Sequence, residues 1–331
     1  MSQTVPISGG SDPRPHAVSG KARAVIRATS IAGVSATALL ALALLLHLTV
    51  RDRIAGPSVL FYATPWPVLA AGAAGAALFW RWKKRRRPAA ALALLAVAAL
   101  AVWLHSSWQR HPRPAVRGDL RVVHWNVSRP ARGLPAIAAW LRAQDADVIT
   151  LAEGHSLRRS TLARWQAELP EYEVAEFAGE MTCLVRGRIL AREDRVLTAN
   201  SYCALIRAEV RGHPLTILQV DINAGQFRSR ARAFAALTAL AAPHFGENLI
   251  VLGDFNTPRE SALLTPLRAE MAQSFESAGD GLAETWPMIL PVLSLDQIWS
   301  SRSLRAVYCE HGHSLHSDHR AVLADFDFAE P

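Results

Sequence analysis

The stretch VLGDFNTP, residues 251–258, decides how this 331-residue sequence folds. It completes the apolar run NLIVL, residues 248–252, whose length and composition are typical of a buried β-strand. Asp254 and Asn256 come directly after that run, so their polar side chains would project from the edge of a rigid sheet. The stretch therefore predicts a strand that ends in a candidate catalytic carboxylate.

Four further stretches place acidic or amide residues at the end of a predicted strand. In chain order they are HWNVSRP with Asn126, LAEGH with Glu153, QVDINAG with Asp221 and Asn223, and the pair SLDQIW and HSDHR with Asp296, Asp318 and His319. Any one of them would fit an ordinary turn, because Asp and Asn commonly begin turns. Together with the first stretch they predict a shared cleft at one edge of the sheets.

The remainder of the C-terminal half alternates between strand-like and helical patterns. Strands are predicted at residues 120–127, 147–152, 172–177, 183–185, 203–210, 215–220, 248–252, 295–299 and 320–328, and helices at residues 134–144, 157–169 and 227–240. Strands with interspersed helices indicate a mixed α/β domain in which one sheet packs on another.

Taken in order, these strings resemble the endonuclease/exonuclease/phosphatase family, also called the DNase-I-like fold. The matching strings are Trp125-Asn126, the strand ending in Glu153, Gly253-Asp254-Phe255-Asn256, Asp296-x-Ile298 and Ser317-Asp318-His319. The resemblance covers roughly residues 119–328. It implies a four-layer αββα sandwich and a metal-dependent hydrolase of phosphate esters.

The resemblance also implies a metal site, and the side-chain chemistry agrees with it. Mg²⁺ or Mn²⁺ is a hard cation that takes a few protein oxygens and keeps several waters. Glu153 and Asn126 would supply one carboxylate and one amide oxygen. Asp318 would add a contact to the metal or to a bound water.

Four residues are expected to carry the hydrolysis itself. Asp254 would orient and deprotonate the attacking water, and Asn256 would hold water or phosphate through its amide. His319, kept protonated by Asp296, would donate a hydrogen bond to the phosphate as negative charge develops.

Asp221 departs from the family pattern, which usually has His or Tyr at this position as a hydrogen-bond donor. An ionised carboxylate cannot donate, so Asp221 either binds a second metal or repels the substrate. Asn223, two residues later, matches the phosphate-contacting Asn of some members. The departure is the support for an alternative function, a catalytically inactive binding module on a membrane anchor.

Three apolar segments precede this domain, at residues 30–50, 58–80 and 88–108. Each is long enough to cross a hydrocarbon layer of about 30 Å as a helix, which takes roughly 20 residues. The sequence therefore predicts a basic tail at residues 1–29, three transmembrane helices, a linker at residues 109–118 and a catalytic domain at residues 119–331. Pro112 and Pro114 make the linker a stiff tether that is not expected to pack.

The positive charge of the chain belongs to its membrane part. Residues 1–118 contain 15 Lys and Arg against two acidic residues, a net charge of +13, and the remainder has a net charge of −5. Basic residues precede the first segment and cluster between the second and third, which predicts that both regions are cytoplasmic. The catalytic domain is then expected on the periplasmic or extracellular side of the cell membrane.

The substrate class stays open between nucleic acid and phospholipid headgroups. The net charge of the catalytic half argues against tight non-specific binding of DNA. The predicted partners are a phosphate ester and the lipid bilayer, and no protein partner is predicted.

The cysteines leave two alternatives open. Cys183 and Cys203 lie in apolar segments that could be neighbouring strands, so either a disulfide or two buried thiols would fit. Cys309 is followed by three histidines that could join it in binding Zn²⁺, although a polar loop is the simpler reading. These histidines are His311, His313 and His316.

Overall fold

The computed structural model describes residues 20–130, 133–156, 160–225 and 227–329. Its N-terminal part consists of four helices: α1 (Gly20–Leu48), α2 (Ser58–Ala63), α3 (Trp66–Trp82) and α4 (Arg86–Ser107). Two parts of the sequence prediction lie outside the described residues, namely residues 1–19 of the basic tail and residues 157–159 of the second domain helix.

The C-terminal part alternates strands and helices as the sequence predicts. Its strands are β1 (Trp108–Arg110), β2 (Leu120–Asn126), β3 (Val148–Ala152), β4 (Glu173–Phe177), β5 (Met181–Val185), β6 (Arg188–Thr198), β7 (Ser201–Val210), β8 (His213–Asp221), β9 (Leu249–Asp254), β10 (Ala272–Gln273), β11 (Asp280–Leu282), β12 (Asp296–Ser300), β13 (Leu304–Gly312) and β14 (Ala321–Phe328). Its α-helices are α5 (Leu134–Ala143), α6 (Leu162–Glu168), α7 (Ala231–Ala241), α8 (Thr265–Glu270) and α9 (Ser274–Ala278).

Two six-stranded sheets form the centre of this domain. One has the order β13-β14-β2-β3-β5-β4 and the other β10-β12-β9-β8-β7-β6. Apolar side chains of both sheets share one buried core, α5 and α6 cover the outer face of the first sheet, and α7 and α8 cover the outer face of the second. The predicted four-layer αββα sandwich is confirmed.

The strand directions bring the polar strand ends together. β2 runs parallel to β3, and β8 runs parallel to β9, with Asp221 opposite Asp254 in the register. β12 runs antiparallel to β9, so Asp296 at its beginning lies opposite Asp254 at the end of β9. Asn126 and Glu153, at or just after the ends of β2 and β3, belong to the same end of the sandwich.

Five strands are absent from the sequence prediction: β1, β10 and β11, which have two or three residues each, and the longer β6 and β13. β6 is an edge strand that is exposed along most of its length, so it lacks the apolar face by which a strand is recognised. β13 includes Cys309 and His311, which the sequence places in a polar loop. Its polar residues pair with β14 at the other edge of the domain.

The disulfide alternative for Cys183 and Cys203 is wrong, because their strands belong to different sheets. Both thiols are buried and free. Cys183 on β5 faces the core between the sheets, whereas Cys203 on β7 faces the helical layer over the second sheet. Burial raises the pKa of the Cys183 thiol to about 12.

The second predicted membrane segment is not one continuous helix. It breaks at Thr64 and Pro65 into the six-residue α2 and the 17-residue α3. Proline disfavours a helical conformation in the residue before it, which accounts for the break. Two helical segments of the described chain are long and apolar enough to cross a membrane, Arg27–Leu48 and Arg86–Ser107.

The predicted free tether is also different in the structure, because the chain packs as soon as α4 ends. Trp108–Arg110 pairs with β11, and the Trp103 indole and the Ser107 hydroxyl both donate to Glu284, at 2.8 and 2.5 Å. Glu284 is 5 % exposed, so these donors satisfy a buried carboxylate. The last turn of α4 is therefore fixed to the domain rather than separated from it.

Candidate active site

A cavity of about 330 Å³ lies at the end of the sandwich where the polar strand ends meet. Its walls combine acidic, amide, basic and aromatic side chains. They are Tyr62, Asn126, Glu153, Ala224, Arg230, Asp254, Asn256, Trp286, Leu293, Leu295 and His319. Five of the residues predicted from the sequence thus line one cavity: Asn126, Glu153, Asp254, Asn256 and His319.

Hydrogen bonds connect the string Trp125-Asn126 to the string Ser317-Asp318-His319 along one wall of the cavity. The Trp125 indole donates to the backbone carbonyl of His319 at 3.0 Å, and the Ser317 hydroxyl donates to the carbonyl of Asn126 at 2.6 Å. The Ser317 hydroxyl in turn accepts from the backbone N–H of His319 at 3.0 Å. Both strings therefore position the same histidine.

The Gly-Asp-Phe-Asn string shapes the second wall. Gly253 has φ +150°, and a Cβ at this position would collide with the carbonyl oxygen of Val220 on the neighbouring strand. Phe255 is fully buried in the helical layer. The backbone N–H of Asn256 donates to a carboxylate oxygen of Asp254 at 2.9 Å, so the turn after β9 fixes the direction of that carboxylate.

His319 and Asp296 form a buried ion pair. His319 Nδ1 lies 2.8 Å from Asp296 Oδ2. Burial alone would lower the pKa of His319, but the negative charges of Asp296, Asp254 and Asp318 raise it to about 10. The pKa of Asp296 is lowered despite its burial, because His319 and His124 stabilise the carboxylate. His319 is therefore a cation at neutral pH.

Asp254 is the buried carboxylate opposite this cation. Burial and the charge of Asp296 raise its pKa, while His319 and hydrogen bonds from Asn256 and Asn126 oppose the rise. The Asn126 amide nitrogen donates to Asp254 Oδ2 at 3.1 Å. A carboxylate whose pKa is raised is a stronger proton acceptor once it is ionised, which suits a general base.

Asn126 and Glu153 lie beside each other, 3.4 Å apart between Asn126 Nδ2 and Glu153 Oε1. The Asn126 amide oxygen accepts from the backbone N–H of Ser128 at 3.1 Å. Arg129 bridges Glu153 and Glu180, at 2.8 and 2.7 Å. The sequence does not predict this arginine as a neighbour of the proposed metal ligand.

Asp221 lies next to the cavity-lining carboxylates. Burial raises its pKa well above the usual range, and the charges of Asp254, Glu153 and Glu180 add to the rise, with Arg129 opposing it. The carboxylates at this end of the sandwich therefore repel one another. A divalent cation would relieve that repulsion, and Asp221, Glu153, Asp254 and Asn126 offer the oxygen donors that such a cation prefers.

Two further predicted residues are held by hydrogen bonds next to the cavity. Asn223 accepts from the Gly225 backbone N–H at 2.6 Å through its side-chain oxygen and shapes the loop after β8. Asp318 accepts from the Ser128 hydroxyl at 2.5 Å and from the Trp286 indole at 3.2 Å. Both lie beside the cavity rather than among the residues that line it.

A second grouping of potential metal ligands exists. Asp254, Asp296 and His319 each offer one ligand atom, and these atoms lie within 4.8 Å of one another. Two of these groups are already paired with each other, because His319 Nδ1 lies 2.8 Å from Asp296 Oδ2. The same three residues therefore also form a histidine whose positive charge is stabilised by carboxylates.

The Zn²⁺ alternative at Cys309 has no support in the structure. His311 Nδ1 donates to the carbonyl of Leu282 at 2.8 Å, and its ring stacks on Phe275 with centroids 4.7 Å apart. Burial lowers its pKa to about 4. Cys309 is buried in the core, and no metal-ligand group among the described residues includes it.

Three of the cavity-lining residues with polar or aromatic side chains were not predicted from the sequence: Tyr62, Arg230 and Trp286. Tyr62 lies in an apolar segment that reads as part of a membrane span, so nothing local indicates a site. Arg230 is one of three arginines in the run FRSRAR, and only the tertiary structure distinguishes it from the other two. Trp286 lies outside every predicted strand and helix.

Comparisons with known proteins agree with this geometry. The sequence model of the Endonuclease/Exonuclease/phosphatase family matches residues 123–319. Among curated proteins, no match was found.

Several solved structures share the fold. An endonuclease/exonuclease/phosphatase family protein from Bacteroides thetaiotaomicron has 16 % identity and a TM-score of 0.56, covering 64 % of this chain and 98 % of its own. The mannosyl-6-phosphatase of Bacteroides thetaiotaomicron has 14 % identity and a TM-score of 0.52, covering 63 % and 100 %. The 3′ phosphatase NExo from Neisseria, bound to a product DNA hairpin, has 18 % identity and a TM-score of 0.52, covering 63 % and 100 %.

His319 in the cavity and His311 on β13 give a test of the electrostatics of the domain. In the full chain, nitrogen NMR of the imidazole rings should show His319 doubly protonated from pH 6 to 9 and His311 neutral at pH 7, in keeping with pKa values of about 10 and about 4. Because its pKa is raised on folding, His319 contributes stability that is fully present below about pH 6.5 and is lost as pH rises through 10. A His319 ring that titrates near 6.5 would contradict the ion pair.

Proposed function

Because this chain belongs to the endonuclease/exonuclease/phosphatase family, we propose that it is a divalent-metal-dependent phosphoesterase, held at a membrane by its N-terminal helices. The carrying observation is that His319, protonated against Asp296, faces the same cavity as the carboxylate Asp254. A cation for the phosphate and a base for the water are then available in one cavity, with a ligand atom of His319 and one of Asp254 within 4.8 Å of each other. The reaction is transfer of a phosphoryl group to water.

The metal would be held by Glu153 and by the amide oxygen of Asn126, with Asp221 close enough to contribute charge. When bound, Mg²⁺ or Mn²⁺ polarises a phosphoryl oxygen and stabilises developing negative charge. Arg129 now neutralises part of the charge of Glu153, so metal binding would compete with this ion pair. We expect Asp318 to act indirectly, by fixing Ser128 and Trp286 at the rim.

Asp254 acts on the attacking water. Its carboxylate is fixed by the Asn256 backbone and by the Asn126 amide, so the water would be oriented before the reaction begins. Proton transfer from the water to Asp254 forms the nucleophile, and the water oxygen bonds to phosphorus as the bond from phosphorus to the ester oxygen breaks. The ester oxygen leaves with the bonding electrons and takes a proton from solvent. Asn256 lines the cavity on the same turn and would contact the water or the phosphate.

His319 acts on the phosphate. Its Nδ1 is occupied by Asp296, so Nε2–H is the donor that remains for the substrate. A charged donor in a buried cavity stabilises negative charge better as that charge grows in the transition state. Asp296 keeps the ring protonated and sets its direction. The intact pair favours hydrolysis over the inactive binding module.

The N-terminal helices would form the anchor. α1 and α4 are long and apolar enough to span, and the C-terminal ends of both meet the catalytic domain. Because both ends lie on the side of the catalytic domain, the chain between α1 and α4 must cross back to the opposite side of the membrane. α3 is the helix that remains for this third crossing. Its 17 residues extend about 26 Å, close to the thickness of the hydrocarbon layer. The basic loop between α3 and α4 then faces the cytoplasm and the catalytic domain lies outside.

Hydrolysis is tested on the full chain in detergent micelles. With bis-p-nitrophenyl phosphate and p-nitrophenyl phosphate as substrates, we expect turnover with Mg²⁺ or Mn²⁺ that EDTA abolishes. Asp254→Ala and His319→Ala should each lower kcat by about 10²–10⁴-fold, because each removes a proton-transfer or charge-stabilising group.

His313→Ala is the matched control, since His313 is an exposed histidine of the same segment outside the cavity. Its kcat should stay within about twofold of the unaltered chain, as expected for a surface substitution away from the site. Full activity of Asp254→Ala or His319→Ala would rule out the mechanism. Absence of metal-dependent turnover on any phosphate ester would rule out the function.

Orientation is tested with two reporters fused to the C-terminus in a bacterial host. Alkaline phosphatase, which is active only outside the cytoplasm, should be active, and green fluorescent protein should be dark. Moving either fusion to the position after Arg85, in the basic loop, should reverse the result. A fluorescent C-terminal fusion would contradict the three-crossing arrangement.

A further inference from the structure

Arg230 is a buried arginine in the cavity wall that the mechanism above does not use. It is 6 % exposed and lies directly before α7. Its Nε donates to the carbonyl of Asn223 at 3.0 Å, and one terminal nitrogen, Nη2, donates to the carbonyl of Ala224 at 3.2 Å. The other, Nη1, has no hydrogen-bond partner among the residues that the structure describes.

The guanidinium of Arg230 also has no directly paired carboxylate within the described ranges. Its bonded partners are neutral carbonyls, and no ion pair in the described part of the chain includes it. Arg129, in contrast, is occupied by two carboxylates. Burying a charge without an opposite charge is costly, as is leaving a buried donor unpaired. An anion bound in the cavity would balance this charge and accept a hydrogen bond from the unpaired donor.

Tyr62 holds the guanidinium from the other side. The Arg230 guanidinium carbon lies 4.3 Å from the centre of the Tyr62 ring, which is a cation–π contact. Tyr62 belongs to α2, in the N-terminal helical segment, and lines the cavity together with Arg230. The catalytic domain alone therefore does not complete this wall.

The ring is fixed in turn by a buried carboxylate in the loop between α1 and α2. The Tyr62 hydroxyl donates to Asp52 Oδ2 at 2.8 Å. Asp52 is 3 % exposed and also accepts from the backbone N–H of Ala262 at 2.9 Å and from the Ser261 hydroxyl. Arg51 adds a bond to the carbonyl of Glu260 at 2.8 Å. The loop is thus docked on the domain beside the cavity.

We propose that Arg230 is the phosphate-binding cation of this active site, and that Tyr62 of the N-terminal helical segment holds it in position. The ligand class is the anionic phosphoryl group of a phosphate ester, whose oxygens match the planar donors of a guanidinium. Arg230 would supply the donor that Asp221 cannot supply while ionised. The membrane anchor is then part of the active site, and this inference rests on the proposed phosphoesterase function.

The test uses inorganic phosphate as the probe and the full chain in detergent micelles with Mg²⁺. Calorimetric titration gives the Kd directly, without turnover. Arg230→Gln should weaken phosphate binding at least about tenfold, since a hydrogen bond to a charged group contributes about 1.5–3 kcal/mol and 1.4 kcal/mol corresponds to tenfold. Arg230→Lys keeps the charge, and its Kd for phosphate should lie between those of the unaltered chain and of Arg230→Gln.

Arg228→Gln is the matched control, because Arg228 is an exposed arginine two residues earlier. Its Kd should stay within about twofold of the unaltered chain. If Arg230→Gln does not fold, Arg230→Lys replaces it, and a Kd equal to that of the unaltered chain would contradict the fork-shaped contact. A folded Arg230→Gln variant that binds phosphate normally would overturn the proposal.

Tyr62 is tested by removing the ring and by removing only the hydroxyl. Tyr62→Ala should weaken phosphate binding by about 2- to 30-fold, since a cation–π contact contributes about 0.5–2 kcal/mol. Tyr62→Phe keeps the ring and should bind more tightly than Tyr62→Ala. Unchanged phosphate binding in Tyr62→Ala would show that the N-terminal helical segment does not contribute to the phosphate site.

The two proposals fail in different ways. Absence of turnover with a phosphate Kd that depends on Arg230 would overturn hydrolysis while supporting the phosphate subsite. Metal-dependent turnover with a phosphate Kd that does not depend on Arg230 would overturn the subsite alone.

Discussion

The ion pair between Asp296 and His319 is the interaction on which the site depends, because it joins the two sheets where the cavity opens. Asp296 begins β12 in one sheet, and His319 lies two residues before β14 in the other, with both side chains buried. A buried charge is stable only when an opposite charge and hydrogen bonds compensate it. The need to pair these groups therefore fixes the ends of the two sheets relative to each other and places Asp254 opposite a cation.

The same requirement organises the rest of the cavity. Its carboxylates lie close enough to repel one another, and compensation comes from His319, from Arg129 and, in the proposed function, from a divalent metal. Arg230 is different, because its hydrogen bonds go to neutral carbonyls and its Nη1 has no hydrogen-bond partner among the described residues. The cavity thus contains cations for the substrate and carboxylates for the metal, the two kinds of group that the proposed hydrolysis of a phosphate ester uses.

Local patterns in the sequence predicted the alternating strands and helices, and the family resemblance supplied the four layers and the order of the strings whose residues Asn126, Glu153, Asp254, Asn256 and His319 line the cavity. An apolar run followed by Asp254 or Glu153 marks a buried strand with a functional end. Contacts distant in sequence were not predictable. β6 lacks an apolar face, and the pairing of Trp108–Arg110 with β11 depends on how the whole domain folds. Tyr62 was unpredictable because an apolar helix is expected to face lipid, not a catalytic cavity.

The central claim is that an oxygen-ligated metal and a protonated histidine share this cavity. A crystal of the full chain grown with Mn²⁺ tests it most directly, since anomalous diffraction locates the ion. The account predicts a peak coordinated by the Glu153 carboxylate and the Asn126 amide oxygen, with His319 still bonded to Asp296. A peak coordinated by His319 together with Asp254 and Asp296, or no peak in the cavity, would contradict it.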